Sequence, residues 1–310
     1  MDAIVVGIDI SKDRLDVHVA PVGEAFQESN DQAGIARLAD RLGKLAPQLV
    51  ALEATGGYET LVAATLQAAG LRVAVVNPAQ VRSFANALGK RAKTDPIDAA
   101  VLARFAMAAA IKPMAPADAQ SRLLADLVAR RRQIVDMINA EKARLSRALN
   151  REVKKSLKRL IAALERELES LDGDLDKQIR ASPAWRVKEN LLASVPGIGK
   201  TIARTLIAEL PELGRLDRRQ IAALAGLAPW TRQSGQWRGK SFIGGGRTTV
   251  RAALFMGAMV AARHNPTLKA FRDKLVAQGK PKMVALIATA RKLLTILNAI
   301  IRDNKPWQTA

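Results

Sequence analysis

The sequence predicts an α/β domain followed by a mainly helical region, and three observations carry that prediction. Before residue 80, short β-branched runs alternate with segments of helical spacing. After about residue 120, apolar residues recur every three or four positions with charges between them. The charge also changes sign along the chain: residues 1–70 hold 5 Lys/Arg against 10 Asp/Glu, residues 191–310 hold 20 against 5, and all 310 residues sum to +20.

Such an imbalance is the electrostatic footprint of a protein that meets a polyanion. No basic helix faced by Trp or Phe is evident, so nucleic acid is favoured over an acidic membrane. Cysteine is absent, which excludes a disulfide framework and thiolate zinc sites. His18 and His264 lie far apart, without ligand spacing. The amino terminus lacks a basic n-region and its apolar run is interrupted by Asp9. No stretch reads as apolar for long enough to span a bilayer. The expectation is a soluble, cytoplasmic protein with no membrane partner.

The run Ala3-Ile4-Val5-Val6-Gly7-Ile8-Asp9-Ile10 has the length and β-branched composition of a buried strand, broken by one acid. Ser11-Lys12-Asp13 turns, and residues 14–19 alternate as the second arm of a hairpin. A third strand is expected over 24–28. Ile35, Leu38, Leu42 and Leu45 then repeat at helical spacing. Residues 49–52 form the next buried strand, ending at Glu53, and Thr55-Gly56-Gly57 breaks the chain before a helix through Leu61 and Leu66. Residues 71–76 are a further strand, closed by Asn77-Pro78. A helical pattern runs from the octet Lys93-Thr94-Asp95-Pro96-Ile97-Asp98-Ala99-Ala100 to about residue 110.

That octet has two readings. Asp95 as N-cap, Pro96 as first helical residue and Asp98 as capping partner make an ordinary helix start. Alternatively the two acids, three apart on one helix face, aim at one spot. The element order is that of a ribonuclease H-like domain, in which the first strand carries a central acid and the fourth ends in another. Asp9, Glu53, Asp95 and Asp98 occupy such places. A carboxylate in mid-strand costs several kcal/mol unless a positive charge compensates. A divalent cation with oxygen ligands, magnesium by preference, is the expected compensation.

From about residue 122, Leu127, Ile134, Ile138, Leu145 and Leu149, then Val153 through Leu175, predict a long helical hairpin or coiled coil. A break is expected near Asn150 or after Leu171, and Asp172-Gly173-Asp174 reads as the end of the section. Its basic clusters, residues 130–132 and 154–159, are solvated faces or contacts for phosphates. Pro196-Gly197-Ile198-Gly199 between two apolar helices resembles a helix-hairpin-helix turn, whose N–H groups would meet a DNA phosphate. Gly199-Lys200-Thr201 is not a P-loop: Ser194 stands where glycine is required, and no strand precedes it. Residues 231–247 are basic and glycine-rich, hold Ser234 and Ser241, contain no acid and do not read as a packing element. Helices are expected over 250–262 and 281–301.

Together these residues resemble the insertion-sequence-110 family of transposases, the DEDD recombinases. The likeness rests on Gly7-Ile8-Asp9-Ile10-Ser11-Lys12, Glu53-Ala54-Thr55-Gly56-Gly57-Tyr58, Asn77-Pro78, Lys93-Thr94-Asp95-Pro96-Ile97-Asp98, Pro196-Gly197-Ile198-Gly199, Ala225-Gly226-Leu227-Ala228-Pro229, Ser234-Gly235, Gly245-Gly246-Arg247 and Val250-Arg251. It implies a RuvC-like (ribonuclease H-like) domain over 1–118, a coiled-coil linker over 119–185 and a transposase domain over 186–310. It implies the acid set Asp9, Glu53, Asp95 and Asp98 with Mg2+, and Ser234 as nucleophile with Ser241 as runner-up. It also implies donor and target DNA, a bridge RNA encoded by the element, and a homo-oligomer, dimer or tetramer. The expected nucleic-acid contacts are Lys93, Gly197, Gly199, Lys200, Arg232, Arg238, Lys240, Arg247 and Arg251. The acids and the serine are expected to act in one composite site. The rival reading is a junction nuclease that uses the same acids to activate water.

Overall fold

Val5–Ile10 forms β1, and the first half of the chain is laid down around it. The structure, a computed structural model, describes residues 3–90, 95–114, 118–231, 233–235 and 237–308, with only the backbone described for Asp95, Pro96, Trp237 and Arg238. Two units are distinguished, Met1–Ala117 and Asp118–Ala310.

In the first unit, β1, β2 (Arg14–Ala20) and β3 (Glu24–Ser29) form an antiparallel meander. Then α1 (Gln32–Leu45), β4 (Leu49–Glu53), α2 (Glu59–Ala68), β5 (Val73–Val76), α3 (Pro78–Ala87) and α4 (Asp95–Ala108) follow. The sheet order is β3-β2-β1-β4-β5, with β4 parallel to both β1 and β5. Because side chains alternate along a strand, β1 divides its residues between two cores. Val6, Ile8 and Ile10 pack with Ile35, Leu38 and Leu42 of α1 and Val62 and Leu66 of α2. Val5 faces the other way, with Ala51, Val76, Val81, Ala85, Leu102 and Phe105, under α3 and α4. This mixed sheet covered on both faces fits the ribonuclease H-like expectation. The helix α3 lay outside the sequence reading, which treated Asn77-Pro78 only as a strand end. In fact Asn77 caps it, accepting from Ala79 N, and Pro78 opens it.

The second unit is helical. Helices α5 (Ala119–Arg147) and α6 (Arg151–Ala181) form an antiparallel hairpin whose turn falls at Ala148–Asn150, where Asn150 caps α6. Its inner part is zipped by Leu124, Val128, Leu175 and Ile179 and then by Ile134, Ile138 and Leu171. The expected end at Asp172-Gly173-Asp174 is corrected: α6 passes through it. Gly173 costs about 1 kcal/mol in an exposed helix, but Leu171, Leu175 and Ile179 continue the buried face across it, and Arg131 clasps Asp172 at 2.6 and 3.1 Å.

The remaining helices are α7 (Pro183–Ala193), α8 (Lys200–Glu209), α9 (Arg218–Leu224), α10 (Thr248–His264), α11 (Pro266–Ala277) and α12 (Lys282–Asp303). They share one core around Leu206, Ile221, Leu254, Leu293, Leu294 and Leu297. The expectation that no stretch is long and apolar enough to cross a bilayer is also corrected. The 22 residues of α12 meet that test by length and composition. Their apolarity has a packing cause, since Ala290, Leu293, Leu294 and Leu297 are fully buried against the neighbouring helices. Residues 231–247 are likewise not a plain loop. A two-residue ladder, β6 (Gln233–Ser234) and β7 (Trp237–Arg238), is closed at its base by the Trp230–Phe242 bridge.

Candidate active site

The acids of the first unit are brought together by sheet register. In β1 and β4, Gly7 pairs with Ala51 and Ile8 with Leu52. Asp9 and Glu53 are the next residues of the two strands, one step beyond the last recorded pair. Alternation puts both on the face of Val5 and Ala51, the one that α4 covers. Each is half-buried.

The covering helix approaches closely because residue 7 is glycine. A Cβ there would lie 2.3 Å from Ala99 O and 2.5 Å from Ala103 N, so the α4 backbone rests directly on β1. Beyond α4 the chain returns to the start of β5, where Met114 N donates to Val73 O at 2.7 Å. Hence α4 begins near the carboxyl ends of β1 and β4 and runs back across the sheet. Asp98, half-buried, precedes the residue whose carbonyl covers Gly7. Asp95 lies one turn earlier in α4, its side chain outside the described residues. Lys93 lies outside them as well.

Two residues that the sequence reading missed frame these acids. Asp16, 3% exposed, is the cross-strand partner of Asp9 and shares its face. Its carboxylate is engaged by Arg14 Nε at 2.9 Å and Gln27 Nε2 at 2.6 Å. Two like charges on opposed strand positions repel; Arg14 offsets that repulsion. Glu59 ties down the segment after Glu53: one carboxylate oxygen accepts from Thr55 N and Oγ1 at 3.1 Å each and from Gly57 N at 2.8 Å. Burial pushes this carboxyl up, but the N–H groups of Glu59, Gly57 and Thr55 outweigh burial and hold it below its ordinary range. The signals were present, an acid in a half-buried strand and a Glu two residues after a Thr-Gly-Gly break.

The donor set is all oxygen, as a hard divalent cation requires. Among the described residues no three Asp, Glu or His side chains converge on one point. Asp9 and Glu53 are thus two half-buried carboxylates on one face of the sheet, and Asp98 is half-buried on the helix that covers that face.

Ser234 occupies a different setting. It pairs with Trp237 at the outer end of the hairpin and is exposed, and Gly235 turns the chain at φ +55° with open space beside it. At the base, Trp230 and Phe242 stack with ring centroids 6.3 Å apart. Ser241 lies near that base, its hydroxyl 3.4 Å from that of Thr231. Lys240 is exposed; Arg232 and the side chain of Arg238 lie outside the described residues.

Several residues expected at nucleic acid are held inside the fold. The Arg247 guanidinium pairs with both Glu212 oxygens, at 2.5 and 2.6 Å, and donates to Glu209 O at 3.0 Å. Arg251 donates to Gly245 O. A Cβ on Gly246 would meet Gly226 N at 2.3 Å and Leu224 O at 2.6 Å, so the Gly-Gly-Arg segment is a packed joint. Gly197, with φ +107°, is needed for packing, since a Cβ there would meet Ala261 N and Cβ at 2.7 Å. Gly199, the N-cap of α8, and Lys200 stay exposed with open space beside the glycine.

Comparison with known proteins agrees with these features. A DEDD-type family model described as "Transposase" matches residues 6–153, and one described as "Transposase IS116/IS110/IS902 family" matches 189–273. The chain is 32% identical over 260 residues to the pilin gene-inverting protein of Moraxella lacunata, covering 83% of this chain and 80% of that one. Its counterpart in Moraxella bovis is 33% identical over the same length. An insertion element IS110 uncharacterized 43.6 kDa protein of Streptomyces coelicolor is 27% identical over 156 residues, covering 50% of this chain and 38% of that one. With both halves matched in order, the chain belongs to the IS110 family of transposases and is a DNA recombinase.

Proposed function

We propose that this transposase moves an insertion sequence by cutting and rejoining DNA through a phosphoserine at Ser234, with the acid set Asp9, Glu53, Asp95 and Asp98 acting on the same reaction. The observation that carries the acid half is the register that makes Asp9 and Glu53 the next residues of β1 and β4 where α4 begins. For the serine half, Ser234 is an exposed hydroxyl at the end of a hairpin, next to a turn that only glycine adopts readily. Ser241, near the hairpin base beside Thr231, is the runner-up.

In the reaction, Ser234 Oγ attacks phosphorus and the Oγ–P bond forms as the bond to the departing strand oxygen breaks. The serine proton leaves to solvent and the departing oxygen takes one up. Attack by the hydroxyl of the other strand reverses these steps and releases the serine. The phosphodiester energy is kept in the ester, so no ATP is consumed. A divalent metal, magnesium by donor preference, would be held by Asp9 and Glu53 with Asp98 and Asp95 and would stabilise charge on the phosphate. The chain's exposed cations, Lys200 and Lys240, bind the backbone near the reacting strand.

Conservation of bond energy is favoured by the relatives named for inverting a pilin gene, since inversion ends with as many phosphodiesters as it began. A water-activating nuclease would lose them. Further parts of the reading are a bridge RNA from the element that pairs with donor and target DNA, a homo-oligomer that holds both duplexes, and action in the cytoplasm on chromosomal DNA. The α5–α6 hairpin is read as a coiled-coil linker between domains 1–118 and 186–310, and the turn 196–199 as a helix-hairpin-helix phosphate contact.

The test incubates the full chain with Mg2+ and element-end DNA, with and without RNA from the element's flank, and looks for protein-linked strands. Ser234→Ala should abolish the adduct and keep DNA binding, and Ser241→Ala should retain both. Cleavage without adduct by Ser234→Ala at the wild-type rate would replace this reading with the nuclease.

A further inference from the structure

The outer part of the α5–α6 hairpin is built unlike the rest of the second unit. From residue 141 to 160 no side chain is buried, yet the segment holds eight Lys/Arg against two Asp/Glu. Arg144 pairs with Glu141 and Lys142 with Glu165. Arg147, Arg151, Lys154, Lys155, Lys158 and Arg159 have no carboxylate within ion-pair distance among the described residues. The cluster at 130–132 shows the opposite: Arg131 is taken by Asp172 and Arg132 by Glu209, both at 2.6 Å. Two of the three inner arginines are thus neutralised, whereas six of the eight outer cations face solvent without such a partner.

Their placement is ordered. Residues 151, 154, 155, 158 and 159 fall on one side of α6 at spacings of three and four, a stripe roughly 12 Å long at 1.5 Å per residue. At the hairpin turn Leu149 is 95% exposed, between Arg147 and Arg151. A leucine held in water at the end of two long helices is unexplained by a merely solvated face. A second copy of the chain would bring the same cations to this surface and be repelled. A duplex carries about one phosphate charge per 1.7 Å of axis with both strands counted, so a length of roughly 12 Å holds about seven, part of which can face the stripe.

We infer that the outer hairpin is a DNA-binding arm in which Arg151, Lys154, Lys155, Lys158 and Arg159 track the phosphate backbone of a duplex and Leu149 enters the adjacent groove. The inference rests on the DNA recombinase assignment and is independent of which serine reacts. Binding here is sequence-independent grip, separate from strand cutting.

The experiment compares the full chain with the variant Lys154→Gln, Lys155→Gln, Lys158→Gln, Arg159→Gln, in which glutamine keeps helix propensity. An equal-charge control changes Lys269, Lys274, Lys280 and Lys282 to Gln, all exposed on or beside α11 and α12. Anisotropy of a labelled duplex is followed against salt, with circular dichroism as the folding check. The arm variant should bind about tenfold or more weakly at low salt, with the slope of log K against log salt shallower by about 3 to 4. The control should change affinity by less than about threefold. The milder pair Lys155→Gln, Arg159→Gln should give about half the slope change and keeps the test decisive if the fourfold variant loses helix. An arm variant that matches the control overturns the inference. So does unchanged duplex binding accompanied by lost binding to a structured RNA or to anionic vesicles.

Discussion

The acids and the serine are held in opposite ways. Asp9 and Glu53 follow the last pair of β1 and β4, each held by its other neighbouring strand, in a sheet whose backbone α4 touches, so strand pairing and packing fix them before any substrate arrives. Ser234 rides on a ladder of two residue pairs, exposed, with open space beside Gly235 and an aromatic pair closing the base. In the proposed reaction, the difference means that the charge-bearing half would be pre-organised, whereas the hydroxyl would ride on a short exposed hairpin.

The contrast breaks most completely at Gly7. Gly7→Val forces a branched side chain into backbone atoms at 2.3 and 2.5 Å, so α4 must lift from the sheet. Denaturant melts should show a loss of about 3 kcal/mol, and strand cleavage should vanish even in the fraction that stays folded. Unchanged cleavage would mean that α4 does not help to place the acids.

On the hairpin side, effects should fall mainly on rate, with a smaller loss of stability than at Gly7. Gly235→Ala places a Cβ at φ +55°, a conformation that costs an L-residue roughly 1–2 kcal/mol. Adduct formation should drop about tenfold while the melting temperature falls by only a few degrees. Trp230→Ala removes a stacked pair contributing about 1 kcal/mol and should slow adduct formation about fivefold, again with a fall of only a few degrees in melting temperature. A stability loss as large as that of Gly7→Val would show that the hairpin is core structure after all.

The smallest effect is a pH dependence confined to the first unit. Burial lowers the His18 pKa from 6.5, helped by the charge of Arg104. The unfolded chain therefore binds the proton first as pH falls, so stability is full above pH 6.5 and declines through 6.5 toward the folded value. Thermal melts at about pH 7.5 and about pH 5.5 should differ for the wild type and differ less for His18→Gln.

Much of this was legible in the residues, and the gaps have physical causes. The acids could be placed because strand alternation and a parallel neighbour fix which face a residue takes, as at Gly7, Asp9 and Glu53. Asp16 escaped notice because the reading of β2 followed its apolar face, and the acid lies on the other one. The hairpin at 233–238 is too short for alternation to register. The helix α11 carried its own signal, Asn265 as cap and Pro266 as first residue, between the helices expected over 250–262 and 281–301. Asp172-Gly173-Asp174 looked like a break because local propensity was weighed without the leucine spacing that continues through it. Arg247 and Arg251 looked free because their partners, Glu212 and Gly245 O, are set by tertiary packing that spacing alone does not reveal.

The central claim is that Asp9 and Glu53 together form the nucleus of a divalent-ion site, and it is tested most directly by Mn2+ binding followed by electron paramagnetic resonance. The wild type should take up the ion, Asp9→Asn and Glu53→Gln should each lose it, and Asp16→Asn should keep it, because that carboxylate is engaged by Arg14 and Gln27. Equal Mn2+ uptake by the wild type and by both of the first two variants would contradict the account.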